Sequence, residues 1–295
     1  MFWETVLRVL VSGIANGAIY ASVAVGFSII YRSGRVFNIA QGEMLMLATF
    51  ISMTLFGFGL NPWLALVLTA CAMAMLGLGV ERFVLRPLVG QSEMALFMAT
   101  LGLLLVLNGL GIIVFGTEPR LFPEVLGTER WQVGTVSIKQ SAVLGTAMVA
   151  CTVALLAWFF RSTRTGLFMT AVAESHQIAR SLGVNVQRSI GLSWAIAGVV
   201  ATIASAAFMS GRSVSPEVAS IAFVALPVVL LSGLETVGGV LLGGIIVGVG
   251  QSMAAAWLDP YTEGGASLLF PFALMMLILI VRPQGLFGWK RVERI

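Results

Sequence analysis

Nine stretches of this chain run for fourteen or more residues with almost no charge, and nothing else in the sequence constrains the fold as strongly. They lie at residues 9–31, 37–56, 62–80, 94–116, 141–160, 189–210, 218–231, 237–257 and 266–281. An α-helix needs about 20 apolar residues to cross a hydrocarbon core of roughly 30 Å. Backbone groups in lipid find no water, so a spanning segment must satisfy its own hydrogen bonds. Continuous apolarity, in place of alternation, selects helices over barrel strands. The expected fold is therefore all-α: a polytopic transmembrane helical bundle of about nine segments, eight to ten being compatible, forming a single domain over residues 1–295. The run at 218–231 is short and holds Pro227, which predicts a tilted, broken or re-entrant helix.

Only 10% of the residues are charged, and the basic ones stand at run ends. No basic patch interleaved with aromatics occurs, which argues against nucleic acid as a partner and for the lipid bilayer. With the N-terminus outside, twelve basic residues fall inside (Arg32, Arg35, Arg82, Arg86, Arg161, Arg164, Arg180, Arg188, Arg282, Lys290, Arg291, Arg294) and five outside (Arg8, Arg120, Arg130, Lys139, Arg212). The positive-inside rule then places the C-terminus and residues 161–188 in the cytoplasm. Residues 1–10 carry Glu4 and Arg8 and lack a basic n-region with a cleavage site, so the first run reads as a retained span. Trp3, Trp63, Trp131, Trp158 and Trp289 sit near run ends, as interfacial rings do. Cys71 and Cys151 lie within apolar runs and read as small buried hydrophobes. The outside loop at 117–140 is either a cover for the outer mouth, a contact for an external partner, or a solvated connector.

Residues 161–188 are the polar exception, holding the chain's only histidine, His176. From 168 to 182 there is no Gly or Pro, and Phe168, Val172, Ser175, Ala179 and Leu182 recur at the spacing of one helix face. Gly183 then ends the helix. The stripe is flanked by Glu174, His176, Gln177 and Arg180, so the segment predicts a helix lying against another protein or against headgroups, or a solvated linker.

Within the runs, Gly239 with Gly243 and Gly244 with Gly248 stand at the small-xxx-small spacing that lets helices approach closely, which predicts a span packed against its neighbours. Ser33-Gly34 and Ser232-Gly233 form a weak internal echo. Asn38, Gln41 and Glu43 make the most polar entry into any span; they read either as a path lining or as a helix start at the inner surface, capped by Asn38 with Glu43 in the first turn. Asn16, Tyr20 and Asn108 also interrupt apolar runs, as path residues or interhelical hydrogen-bonders. No nucleophile with a base, metal cluster or HExxH occurs, and no phosphate-binding loop accompanies Lys139 or Lys290. The chain therefore reads as a transport protein, not an enzyme, without an energy source of its own.

Five blocks in order, NGAIYASVAVGFSIIYRSGRVFNIAQGE, ERFVLRPL, TRTGLFMTAVAESHQIARSLGV, SGLETVGGVLLGGIIVG and VRPQGLFG, resemble the permease subunits of branched-chain amino-acid ABC importers. The resemblance implies import of hydrophobic amino acids across the bacterial inner membrane by alternating access. It implies a second related permease subunit, two cytoplasmic ATPase subunits and a periplasmic substrate-binding protein as partners, with no cofactor in this chain and ATP bound by the ATPases. It also implies that residues 161–188 dock on the ATPase, with Ala173, Glu174, Ser175, Ala179, Leu182 and Gly183 carrying the family's coupling pattern. Ser175 departs from that pattern, where Asp or Asn is common. The alternatives are a sister permease for urea, short amides or other amino acids, and a self-contained channel or facilitator.

Overall fold

The computed structural model describes residues 2–88, 90–127, 129–133 and 136–288. Its helices are α1 (Phe2–Gly34), α2 (Gln41–Gly57), α3 (Pro62–Val80), α4 (Glu93–Phe115), α5 (Gln140–Ser162), α6 (Arg164–Glu174), α7 (His176–Ser181), α8 (Val186–Met209), α9 (Ile221–Ser232), α10 (Gly239–Trp257), α11 (Asp259–Thr262) and α12 (Gly265–Val281). Four short strands, β1 (Arg120–Leu121), β2 (Arg130–Val133), β3 (Val136–Lys139) and β4 (Ser213–Val214), form two antiparallel pairs, β1 with β4 and β2 with β3.

All nine apolar runs are helical. Among the described residues, six stretches are long and apolar enough to cross a membrane: Trp3–Gly34, Pro62–Leu88, Glu93–Phe115, Gln140–Ser162, Val186–Met209 and Gly239–Trp257. The remaining runs form shorter helices, α2 and α12 of 17 residues each and α9 behind a 3-10 turn, Pro216–Ser220. The interruption expected around Pro227 thus falls at the start of this segment, while Pro227 itself is buried inside α9. Lys290, Arg291, Arg294 and Trp289 lie outside the described residues.

α1 and α8 form the centre. The membrane-length windows of these two helices are 61% and 78% buried, against 22% for α4 and for α5. α1 packs along α10, α8 and α9, and α3 lies on α8. The closest seam is made by glycine: a Cβ on Gly244 would run into the Gly17 carbonyl oxygen, and one on Gly248 into the Gly13 oxygen and Gly17 nitrogen. Gly243 instead faces Ser232 at the end of α9, and Gly239 faces Phe287. The partner pair, Gly13 and Gly17, carries the same small-xxx-small spacing and was legible in SGIANG. The opposite side of α10 is open, with Leu242, Ile246 and Met253 exposed, so only one face of this span is packed.

Two expectations are corrected here. Cys71 and Cys151 are exposed, on the outer sides of α3 and α5, where a small apolar side chain suits a lipid-facing surface equally well. The loop before α5 is also more than a solvated connector: β1 pairs with β4, Phe122 is buried edge-on against Phe56 of α2, and the Ser210 hydroxyl at the end of α8 accepts from the Val125 and Leu126 N–H groups. It is fastened across that end of the bundle.

α3 continues through a π-helical turn, Glu81–Leu85, and a final 3-10 turn, Arg86–Leu88, which contains Pro87. Widening the turn brings residues five apart onto one side. Arg86 accordingly grips the buried Glu81 carboxylate with two donors, at 3.1 and 3.3 Å, which is how a charged pair is accommodated at the end of an apolar helix.

Candidate functional site

Two polar regions stand out in this bundle, one at the end where α1 finishes and one inside. At the first, α1 ends at Gly34 and Arg35 takes a left-handed backbone, φ 52°, its N–H on the Tyr31 carbonyl at 2.9 Å. Glycine usually fills such a position, and a non-glycine residue there costs of order 1 kcal/mol. The Arg35 side chain offsets that cost. Its Nε donates to the Ala173 carbonyl of α6 at 2.7 Å, and its guanidinium lies 3.4 Å from the Glu235 carboxylate and 3.8 Å from that of Glu174. Arg35 and Glu235 side chains are 23% and 33% exposed and Glu174 is 67% exposed, so water screens the last contact most. One turn earlier, Arg32 donates to Thr170 Oγ1 at 3.2 Å and to the Glu235 carbonyl at 3.0 Å, and lies 5.0 Å over the Phe160 ring.

The polar segment is two helices, not the single helix expected over 168–182. Ser175 is extended (φ −157°, ψ 114°) and separates α6 from α7. Each piece has its own N-cap: Thr163 Oγ1 accepts from the Gly166 N–H, and Ser175 Oγ from the Ile178 N–H. The break splits the expected stripe. Val172 and Ala179 are buried, whereas Phe168 and Leu182 are exposed. The buried face of α6 is Gly166, Met169, Val172 and Ala173. α7 ends in a Schellman motif, with Gly183 N–H on the Arg180 carbonyl, Val184 N–H on that of Ala179 and Gly183 at φ 78°. Ile178 and Leu182 project outward from it. The side chain of His176 lies outside the described residues.

A cavity of about 530 Å³ opens between these helices and the end of α3, lined among others by Arg35, Glu81, Arg86, Glu174, Gln177 and Arg180. On the other side, the segment after α12 is tied to the end of α9, with Leu286 N–H on the Leu231 carbonyl at 2.7 Å and Phe287 N–H on that of Ser232 at 3.3 Å. Every one of the five sequence blocks that carry the resemblance thus contributes residues to this one end.

At the second region the chain turns back on itself. The Gln41 side chain abuts Gly26, eight residues and hence about 12 Å along α1 from Gly34. α2 therefore starts inside the bundle and not at its surface. Asn38 is not its cap: Ala40 holds that position without a side-chain hydrogen bond, and Asn38 Oδ1 accepts from the Ala40 N–H at 3.1 Å. Asn38 Nδ2 donates to Gln41 Oε1 at 3.2 Å and lies 3.5 Å from Met44 Sδ. Glu43, in the first turn as expected, accepts from Asn108 Nδ2 of α4 at 3.2 Å. Thr100, also on α4, donates to the Phe37 carbonyl at 2.9 Å. Gly42 meets the Ala219 carbonyl oxygen and the Ala222 Cβ, so the start of α2 abuts the junction between the 3-10 turn and α9. Tyr20 lies instead beside Gln251 of α10, with Asn16 half-buried one turn earlier on α1. Among the described residues no hydrogen bond joins Asn16 or Tyr20 to Asn38, Gln41, Glu43 or Asn108.

A helical bundle with six apolar stretches of membrane-crossing length, polar groups seated at a helix start in its interior and a capped helix pair presented at one end has the architecture of a multi-pass membrane protein. Residues 9–279 match the family model described as branched-chain amino acid transport system / permease component, and the chain belongs to that family. Relatives include the high-affinity branched-chain amino acid transport system permease proteins LivH of Salmonella typhimurium (25% identical, covering 98% of this chain and 97% of the relative) and BraD of Pseudomonas aeruginosa (26%, 98% and 98%). A probable LivH of Methanocaldococcus jannaschii is 24% identical, over 96% and 95%. Among solved structures, PsaBC from Streptococcus pneumoniae in complex with Fab shares the fold at TM-score 0.50 and 14% identity, covering 96% of this chain and 97% of that one.

Sequence reasoning passed over Arg32, Arg35 and Glu235 as site residues. A signal for two of them was present. Arg35 directly follows Ser33-Gly34, and Glu235 follows Ser232-Gly233 by one residue. The faint echo between those turns marks two segments that meet in space.

Proposed function

We propose that this chain is the permease subunit of an ATP-driven importer of branched-chain and other hydrophobic amino acids. It works with a second related permease subunit, two cytoplasmic ATPase subunits that bind the ATP, and a periplasmic substrate-binding protein. It sits in the cytoplasmic membrane with its N-terminus outside and its C-terminus inside.

The observation that carries the reading is the α6–α7 pair. Its inner face is buried against the bundle while Glu174, Ile178 and Leu182 point outward, which suits a helix seated in a groove of another subunit. The names of the relatives support the substrate class. In the proposed cycle, approach of the ATPases displaces α6 and α7, and the bundle reorients around a path that includes Asn38, Gln41, Glu43 and Asn108. Apolar substrate side chains need little from such a path, and these polar groups serve the charged ends.

Glu174→Lys tests the docking role. Glu174 is exposed, so charge reversal leaves membrane insertion intact while lowering uptake roughly tenfold, and loss of ATPase co-purification separates mismatched interface charge from repulsion of the nearby Arg35. Unchanged uptake together with unchanged co-purification of the ATPases would overturn the role. Competition uptake by the complete importer with leucine, alanine, urea and an aromatic amino acid tests the substrate: leucine competes best, and strong competition by urea alone reassigns the chain to amide transport.

A further inference from the structure

We propose that Arg35 transmits displacement of α6 to two places at once, the polar seat at the start of α2 and the start of α10. The inference rests on the coupling role given above to α6 and α7. α6 is joined through the chain to α5 directly and to α8 through α7, and α8 touches the seat only by packing along α2. Arg35 is joined to the seat by the chain itself, because it is followed by the five non-helical residues 36–40, which end at Gln41 and include Asn38. Its Nε donates at 2.7 Å to the carbonyl of Ala173, the last buried residue of α6. Its guanidinium meets Glu235 at 3.4 Å, four residues before α10 begins at Gly239. Arg32 adds a second tie between the same elements, from Thr170 of α6 to the Glu235 carbonyl. A movement of Ala173 therefore pulls on a short non-helical link with Asn38 at its middle, and on a turn whose far end opens the glycine-packed helix. A guanidinium suits this work because its planar fork engages a carbonyl and a carboxylate in fixed relative directions.

Arg35 is in this view a positioning residue, and its loss separates ATP hydrolysis from transport. The test uses the complete importer, with permease subunits, ATPases and binding protein, reconstituted in vesicles with leucine. Leucine moved per ATP hydrolysed is measured for wild type, Arg35→Gln, Glu235→Gln and the double variant. Each single variant is expected to lower that ratio roughly tenfold while ATPase association and hydrolysis rate hold within about twofold. The double variant is expected to be no worse than the poorer single, since the Arg35–Glu235 contact is already lost in either one. Arg35→Lys, which keeps the charge and loses the fork, is expected to recover only part of the ratio. Glu235→Gln leaves the left-handed turn untouched and so reports even where Arg35→Gln destabilises the chain. Equal falls in hydrolysis and uptake, multiplicative effects in the double variant, or an unchanged ratio would each overturn the proposal. Wild-type uptake that needs no ATP would instead overturn the importer reading on which it rests.

Discussion

The α1–α10 seam and the α2–α4 contact use the same residue types to opposite ends. Along the seam, Gly13, Gly17, Gly244 and Gly248 bring two backbones together so closely that none of the four has room for a methyl group. α4 carries glycines too, but Gly102 and Gly109 have open space around them, and this helix is held to α2 by side chains, Asn108 to Glu43 and Met46 against Gly111. The seam exploits what glycine lacks, and with no hydrophobic drive between helices in lipid such close packing is a main source of association. α4, only 22% buried along its span, is attached by a few specific contacts and is the more easily moved. A permease needs both kinds of helix, a rigid spine and elements that shift against it.

The largest expected effect follows from the seam. Gly244→Val forces the new side chain into the Gly17 backbone, which cannot yield as a flexible side chain would, and costs about 3 kcal/mol or more. The expected outcome is loss of folded, monodisperse protein after detergent extraction, measured by size-exclusion chromatography. The same change at Gly109 leaves the elution profile intact. If Gly244→Val elutes as wild type does, the seam is not the spine of the bundle.

Half of this contrast was legible in the sequence. The glycines of GGVLLGGIIVGVG announce a packed span by their spacing alone, and continuous apolarity specifies helices wherever it occurs. What spacing cannot give is the partner: Gly13 and Gly17 lie more than two hundred residues away in the chain, and nothing local ties them to α10. The helix break at Ser175 escaped notice for a related reason. The absence of Gly and Pro from 168 to 182 favours one helix, yet a serine able to cap the next turn competes with helix continuation. Of the two readings of Asn38, path lining or helix cap, the cap fails because α2 starts a few residues later, beside Gly26, where tertiary packing decides. The Arg35–Glu235 contact depends on two turns meeting across the end of the bundle, and only their faint likeness hinted at it.

An intermediate effect is expected where α4 meets α2. Asn108→Leu removes the amide that donates to the Glu43 carboxylate, leaving a buried acceptor without that donor in an apolar setting, at a cost of about 1–2 kcal/mol. Because the seam is untouched, the protein still extracts as a folded species with a modestly lower melting temperature, while leucine uptake falls further than stability does. Adding Glu43→Gln recovers most of the lost thermal stability, since no buried carboxyl group is then left without its donor. If the double variant melts lower than Asn108→Leu alone, Glu43 is supported by something other than Asn108.

The smallest effect isolates the meaning of open glycines. A Cβ on Gly109 meets nothing within 4 Å, so Gly109→Ala adds helix propensity without a clash and is expected to stabilise by about 0.5–1 kcal/mol. Differential scanning fluorimetry of the purified chain should record a slightly raised transition. In the assembled importer the expectation can diverge: if a second permease subunit, as proposed above, packs on this face of α4, the extra methyl group lowers assembly while the isolated chain stays stabilised. A rise in both preparations assigns the Gly109 face to lipid, and a rise in the isolated chain with a fall in the complex assigns it to the partner, turning a glycine that touches nothing in one subunit into a marker for the contact between two.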